Sequence, residues 1–170
     1  FRAEIQDDDG NALPLGSTGR LAVKGPTGCR YLADERQRDY VKRGWNLTGD
    51  IYRTDADGYF WFVARGDDMI VSAGYNIGAP EVEAALLKHP AVAECAVIGA
   101  PDPERGQIVK AFVVLHDPAE AGPEMAEALQ AFVKMTIAPY KYPRAVAFRT
   151  ELPKTQTGKL QRFRLKEEGA

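Results

Sequence analysis

The chain has 170 residues, with 22 Lys and Arg against 24 Asp and Glu, a formal charge of −2 at pH 7, and 45% hydrophobic residues. The near balance of charge excludes a strongly basic nucleic-acid binder and gives no reason to invoke a membrane surface, and no apolar run approaches the roughly 20 residues a membrane span needs. The length fits about one domain or slightly more, and two cysteines, Cys29 and Cys95, form no disulfide framework and fit a reducing cytoplasm.

Phe1-Arg2-Ala3-Glu4 opens directly into a strand-like pattern, with no signal peptide, initiator Met or cap, so the chain is expected to be cut from something longer. Residues 1–66 read as β-rich. Asp7-Asp8-Asp9-Gly10 is a turn, and Arg20-Leu21-Ala22-Val23-Lys24 alternates as a strand does. Gly16, Gly19, Gly25, Pro26 and Gly28 punctuate loops, and residues 34–40 predict a short surface helix. Asp55-Ala56-Asp57-Gly58 is a turn leading into the alternating Tyr59-Phe60-Trp61-Phe62-Val63.

After Arg65-Gly66 the pattern becomes α+β. Pro80-Glu81 begins a helix to about His89, with Val82, Ala85 and Leu86 on one face and Pro in the first turn. Residues 92–98, 108–115 and 145–148 read as core strands. Residues 125–135 form an amphipathic helix with Leu129, Phe132 and Val133 inward, and 163–166 a short terminal helix. The expectation is a small α+β domain with a three-stranded sheet and flanking helices over residues 67–170, preceded by a β-rich piece over 1–66. The Gly66-Asp67-Asp68 run bends without burying apolar area. About 100 residues are enough for an independent core.

Three segments carry candidate chemistry. In Leu152-Pro153-Lys154-Thr155-Gln156-Thr157-Gly158-Lys159-Leu160 a loop stiffened by Pro153 and bent at Gly158 projects a long cation. It is no Walker A loop, because Pro153 stands at the first glycine and Leu160 follows where Ser or Thr is needed. Thr48-Gly49-Asp50 taken alone is a hairpin turn with a carboxylate at its tip. Arg65 taken alone is a surface arginine. Other apparent sites fail: Asp55-Ala56-Asp57-Gly58 lacks the further carboxylates of an EF-hand, and Cys29, His89, Cys95 and His116 have no zinc spacing. Cys95 sits among apolar residues and reads as a small core hydrophobe. From Lys141 to Lys166 the tail is basic, a solvated face in the plainer reading. No aromatic platform interleaves with it, so nucleic acid fits poorly.

Taken together and in this order, Asn46-Leu47-Thr48-Gly49-Asp50-Ile51, Ala64-Arg65-Gly66-Asp67-Asp68-Met69-Ile70 and the Lys154–Lys159 loop resemble the C-terminal part of the adenylate-forming enzymes over essentially the whole chain. That superfamily includes acyl- and aryl-CoA synthetases, luciferases and peptide-synthetase adenylation domains. Pro26-Thr27-Gly28-Cys29-Arg30-Tyr31-Leu32, Gly44-Trp45-Asn46-Leu47-Thr48-Gly49-Asp50 and Ala138-Pro139-Tyr140-Lys141-Tyr142-Pro143-Arg144 most resemble benzoate- and aminobenzoate-CoA ligases and medium-chain acyl-CoA synthetases.

The resemblance implies that residues 1–66 end a large N-terminal domain, whose phosphate loop lies upstream, and that 67–170 are a mobile C-terminal domain. It implies that Asp50 and Arg65 hold the ATP ribose, that Asp67 is the hinge, and that Lys159 bridges substrate carboxylate and α-phosphate. Ser72-Ala73-Gly74-Tyr75-Asn76-Ile77 resembles the loop that admits the CoA pantetheine, with Ala73 where many members carry a second glycine. A bulge between two short strands is the plainer alternative for it. The implied function is ligation of a carboxylic acid to CoA with ATP and Mg²⁺. Loading of a carrier protein, or a binding role for the isolated fragment, stay open as alternatives. The basic tail is a candidate for the CoA phosphates. Pro153 and Gly158-Lys159 also match a lysine acetylation motif, which implies an acetyltransferase and a deacetylase as partners.

Overall fold

Alternating stretches and turn residues in the first 66 positions become one antiparallel sheet. The computed structural model describes residues 1–26, 35 and 37–169, with nothing said of the side chains at 37 and 169. Two compact units divide the chain, Phe1–Asp67 and Asp68–Ala170. The 26–32 motif lies almost wholly outside the described residues, as do Cys29 and positions 34 and 36 of the helix expected over 34–40, of which Gln37–Tyr40 is helical.

In the first unit β1 (Arg2–Gln6) pairs with β2 (Thr18–Lys24), and β2 with the long β4 (Trp45–Thr54). The short helix α1 (Gln37–Tyr40) leads into β3 (Val41–Lys42), which pairs with the start of β4, while β5 (Phe60–Arg65) pairs with its second half. Asp55 builds the turn before β5: its Oδ1 accepts the N–H groups of Asp57 and Tyr59, and its Oδ2 accepts the Trp61 indole N–H at 2.7 Å. Ile5, Ala22 and Ala64 are buried, whereas Tyr59, Phe60, Trp61 and Phe62 are exposed on or beside β5.

The second unit begins with a hairpin, β6 (Met69–Ser72) and β7 (Tyr75–Gly78), followed by α2 (Ala79–Leu86), β8 (Val92–Asp102) and β9 (Gly106–Leu115). Helix α3 (Pro123–Thr136), strand β10 (Ala145–Phe148) and helix α4 (Arg162–Gly169) complete it. The three strands expected from the sequence are β8, β9 and β10, with β8 antiparallel and β10 parallel to β9. The hairpin adds two strands through one residue pair, Ser72 opposite Gly106, which makes five. Side-chain alternation sorts the core onto two faces. Val97, Ala111 and Val113 pack with Val82, Leu86, Leu129 and Val133 of the helices α2 and α3. Ala96, Ile98 and Phe112 pack with Leu152 and Leu165.

The β6–β7 connection has two residues, Ala73 and Gly74, at φ +48° and +82°. That is the type I′ geometry that suits a tight hairpin, and it places a Cβ-bearing residue in the left-handed region at a cost of roughly 1–2 kcal/mol. The segment expected as a possible bulge is thus a hairpin turn. Ala73 is exposed and loses no buried contact on truncation. Ala73→Gly is therefore expected to stabilise the second unit by up to about 1 kcal/mol, after the extra chain entropy of glycine is subtracted. Denaturant unfolding of the two variants measures it.

Candidate functional site

The Asp50 carboxylate is carried on a distortion inside a strand, not on the hairpin tip expected from Thr48-Gly49-Asp50. Between Arg20 opposite Ile51 and Ala22 opposite Leu47, β4 has three residues against one on β2. The extra residues 48–50 bulge out, with Gly49 at φ +82°. Thr48 pins the bulge: its hydroxyl donates to the Leu21 carbonyl at 3.3 Å and accepts the Asp50 N–H at 3.2 Å. The tertiary register overrides the local turn signal, because β4 has strands paired along both of its halves.

Asp50 faces Arg65 across β4 and β5, and Arg65 Nε lies 3.7 Å from Asp50 Oδ1. The arginine is two-thirds exposed and the aspartate about one-third. Such a pair contributes little to stability. It leaves acceptor oxygens and guanidinium N–H groups available to a polar ligand. A Cβ at Gly49 would stand 4.0 Å from Arg65 Nη2, an ordinary contact, so the backbone φ and not space calls for glycine there. Asp67 lies in the single 3-10 turn Gly66–Asp68 at the division between the two units.

In the second unit, Gly74 forms the tip of the β6–β7 hairpin, and a Cβ there would meet nothing within 4 Å. The hairpin is fastened along β6 up to its turn, where the Ala73 N–H donates to the Arg105 carbonyl at 2.9 Å and the Val71 N–H to Gln107 Oε1 at 3.0 Å. Tyr75 stacks on Tyr140 with centroids 4.5 Å apart, a contact between β7 and the 3-10 turn Pro139–Lys141.

Lys159 sits on a loop closed by its own hydrogen bonds. Lys154 and Leu160 form an isolated antiparallel bridge, and the Thr155 N–H donates to the Lys159 carbonyl at 2.8 Å. Thr155 Oγ1 accepts the Lys159 N–H at 3.1 Å, and Gly158 takes φ +81° to make the turn. The Lys159 side chain is exposed, and among the described residues its ammonium meets no carboxylate. Much of the basic tail differs in this. Lys141 pairs with Glu81, Lys154 with Glu94, Arg149 with Glu168, and Arg162 with Glu83 and Asp68. These acids lie far away in sequence or just beyond the run, which is why the tail read as uncompensated charge. The sequence reading missed the Arg162 cluster and the Tyr140 stack, since no local spacing connects their members. Among the described residues no group of three or more His, Cys, Asp and Glu is placed to hold a metal, and no helix is long and apolar enough to cross a membrane.

Residues 81–159 match the AMP-binding enzyme C-terminal domain. That match lies within the second unit and ends on Lys159. Those residues form such a C-terminal domain, and the relatives the chain is similar to are acyl-CoA synthetases. Human mitochondrial acyl-coenzyme A synthetase ACSM5 is 48% identical over 182 residues, an alignment that spans 99% of this chain and 31% of that protein. The acyl-CoA ligase YtcI of Bacillus subtilis (strain 168) is 45% identical over 170 residues, spanning 98% of this chain and 32% of the other. Among solved structures, the anthranilate CoA ligase AuaEII in complex with anthranoyl-AMP superposes with a TM-score of 0.85 at 39% identity, over 99% of this chain and 33% of that one. The amide bond synthetase McbA from Marinactinospora thermotolerans gives 0.84 at 35% identity, over 99% and 35%. The chain therefore spans about a third of the length of the relatives it matches.

Cys95 is partly buried beside α2, its Sγ 3.5 Å from the Glu83 carbonyl. Burial, and then the charge of Glu83, push its thiol up to about 12. A thiol whose folded value is raised stays neutral up to the unfolded value of 9.0, and the stability this contributes is lost only as pH rises from there towards 12. Cys95 is thus expected to resist iodoacetamide at pH 8 in the folded protein and to react fully in denaturant. Peptide mass spectrometry reads it separately from Cys29.

Proposed function

We propose that the full-length protein is an ATP-dependent, AMP-forming carboxylic acid–CoA ligase, acting on an aryl or short- to medium-chain acid. The observation that carries this is the exposed Lys159 ammonium, which meets no carboxylate among the described residues, held on a self-closed loop in a chain whose relatives are acyl-CoA synthetases. In this reading the first unit ends the large N-terminal domain, and the exposed aromatics at Tyr59–Phe62 are the surface a neighbouring part of that domain covers. The second unit is the mobile domain, turning about Asp67.

The chemistry follows from charge. A carboxylate oxygen attacks the α-phosphorus of ATP, the bond to the pyrophosphate oxygen breaks, and acyl-AMP and pyrophosphate form. Two anions must approach, and negative charge grows on the phosphorus oxygens. The Lys159 ammonium, with no carboxylate partner of its own to surrender, neutralises that charge. Asp50 accepts the ribose hydroxyls and Arg65 donates to the same sugar, which orients the α-phosphate. ATP enters as its Mg²⁺ complex, and no residue described here is assigned to the metal. In the second half-reaction the CoA sulfur attacks the acyl carbon, AMP leaves and the thiol proton is released. The Gly74 tip, with open space around it, lets the pantetheine pass beside backbone, with Tyr75 next to it.

Free CoA is preferred over a carrier protein because the exposed apolar side chains of the second unit, such as Val71, Leu87, Met135 and Phe163, sit on different elements. A carrier protein or amine acceptor is the second reading, favoured by the likeness to McbA. Lysine acetylation at Lys159 by an acetyltransferase, reversed by a deacetylase, would remove the required charge without touching the fold. The compartment proposed is the cytoplasm, although the ACSM relatives carry a mitochondrial designation.

Lys159→Ala in the full-length protein should lower ATP–pyrophosphate exchange by ~10²–10³-fold while thioesterification of a supplied acyl-adenylate stays near the wild-type rate. Gly74→Trp should do the reverse. Equal loss of both half-reactions in both folded variants would refute the division of labour. The 170-residue chain alone should form no acyl-CoA from any acid, since residues 1–170 supply only part of the ATP-binding free energy; product formation by the purified fragment would overturn that.

A further inference from the structure

Arg162 opens α4, three residues beyond Lys159, and its guanidinium reaches two acids from other parts of the second unit. Nη2 donates to Oε1 and Oε2 of Glu83 at 2.8 and 2.7 Å, and Nη1 lies 3.5 Å from Oδ2 of Asp68. The three side chains are 25%, 14% and 12% exposed. Glu83 in turn accepts the Val97 N–H at 2.9 Å, which ties α2 to β8. Asp68 is the first residue of the second unit, directly after Asp67. One cation thus joins the beginning of the unit, its first helix, strand β8 and the end of the Lys159 loop.

Stability is a weak explanation for such a cluster. Taking three charges out of water costs several kcal/mol per ion, and buried ion pairs are often replaced by apolar side chains without loss. Fixed geometry is the better one, because the planar guanidinium fork holds its partners in defined directions. The Lys159 loop has other fastenings, the Gln161 N–H to the Pro153 carbonyl at 2.8 Å and Lys154 to Glu94 at 2.6 Å, but these lead to the loop itself and to β8. Among the described side chains, only Arg162 links the loop's end to Asp68.

We propose that Arg162 is a positioning residue for adenylation, clamping the Lys159 loop to the hinge-side segment through Asp68. A change of torsion at Asp67 then carries Lys159 as part of one rigid body and is not absorbed in the loop. This rests on the ligase reading and on the roles given there to Lys159 and Asp67. A displacement of about 1 Å in such a group can cost ~10²-fold in rate, so the clamp is expected to appear in turnover and not in substrate binding.

The test uses the full-length protein. Arg162→Lys retains a charge for Glu83 but cannot span both acids, and Asp68→Asn leaves the Glu83 contact intact. Each is expected to lower the kcat of ATP–pyrophosphate exchange at least tenfold for the first variant and several-fold for the second. KM for ATP and acid should stay within twofold, as should thioesterification of supplied acyl-adenylate, with unfolding midpoints close to wild type. Wild-type exchange in Asp68→Asn, or an equal fall in both half-reactions, overturns the inference while the ligase reading stands. Should Arg162→Lys fail to fold, Asp68→Asn decides alone. Absence of exchange in the wild-type protein with every acid tried would overturn the ligase reading and this inference with it.

Discussion

β8 and β9 run antiparallel from Val92 opposite Leu115 to Asp102 opposite Gly106, and the candidate site segments of the second unit are fastened to this ladder. Its two faces are both buried, one under α2 and α3 and the other under Leu152 and Leu165. The Gly74 hairpin hangs from the first residue of β9 through Ser72, and the Lys159 loop is flanked by the two leucines that cover the second face. A chain that lost this ladder would lose the placement of both tips together, because neither has a core of its own. The energy is ordinary hydrophobic burial. The consequence is that two loops of about ten residues or fewer behave as fixed attachments to a rigid sheet.

Charge is distributed with the same economy. The cations that flank Lys159 along the chain are largely answered by acids, Glu94 for Lys154 and Glu83 with Asp68 for Arg162. Lys159 itself is not. An ammonium already paired would have to give up its partner before it could meet a phosphate, whereas an exposed unpaired one gives up only water. Neutral surroundings also keep the loop from being repelled by the rest of the tail. The arrangement suits the role proposed for Lys159.

The first unit handles its polar groups differently. Asp50 and Arg65 sit opposite each other on paired strands, so their spacing is set by sheet register, which is stiffer than a loop. The bulge at 48–50 takes the aspartate out of the ladder with β2 while leaving it paired with β5. Thr48 closes the bulge with two hydrogen bonds, and Gly49 supplies the left-handed φ it needs.

Periodicity and turn chemistry made the secondary structure legible from residue order. Pro80 at a helix start, the alternation through 108–115 and the aspartate turn at 55–58 are local signals, and local backbone sterics are enough to read them. The family was legible too, because three short motifs in a set order are a local property of the chain. Three things were not. The Thr48-Gly49-Asp50 segment has the composition of a turn, and only pairing with strands on both of its halves turned it into a bulge. The basic tail looked uncompensated because its acids lie far away along the chain, Glu83 by 79 residues from Arg162 and Asp68 further still. Ala73 looked like a blemish in a loop, and only the closing of β6 on β7 showed it in the left-handed region of a hairpin turn. Residue order by itself determined the elements and the family, since both depend on neighbours along the chain. Tertiary structure alone decided which charges are neutralised and where each carboxylate points, since those depend on neighbours in space.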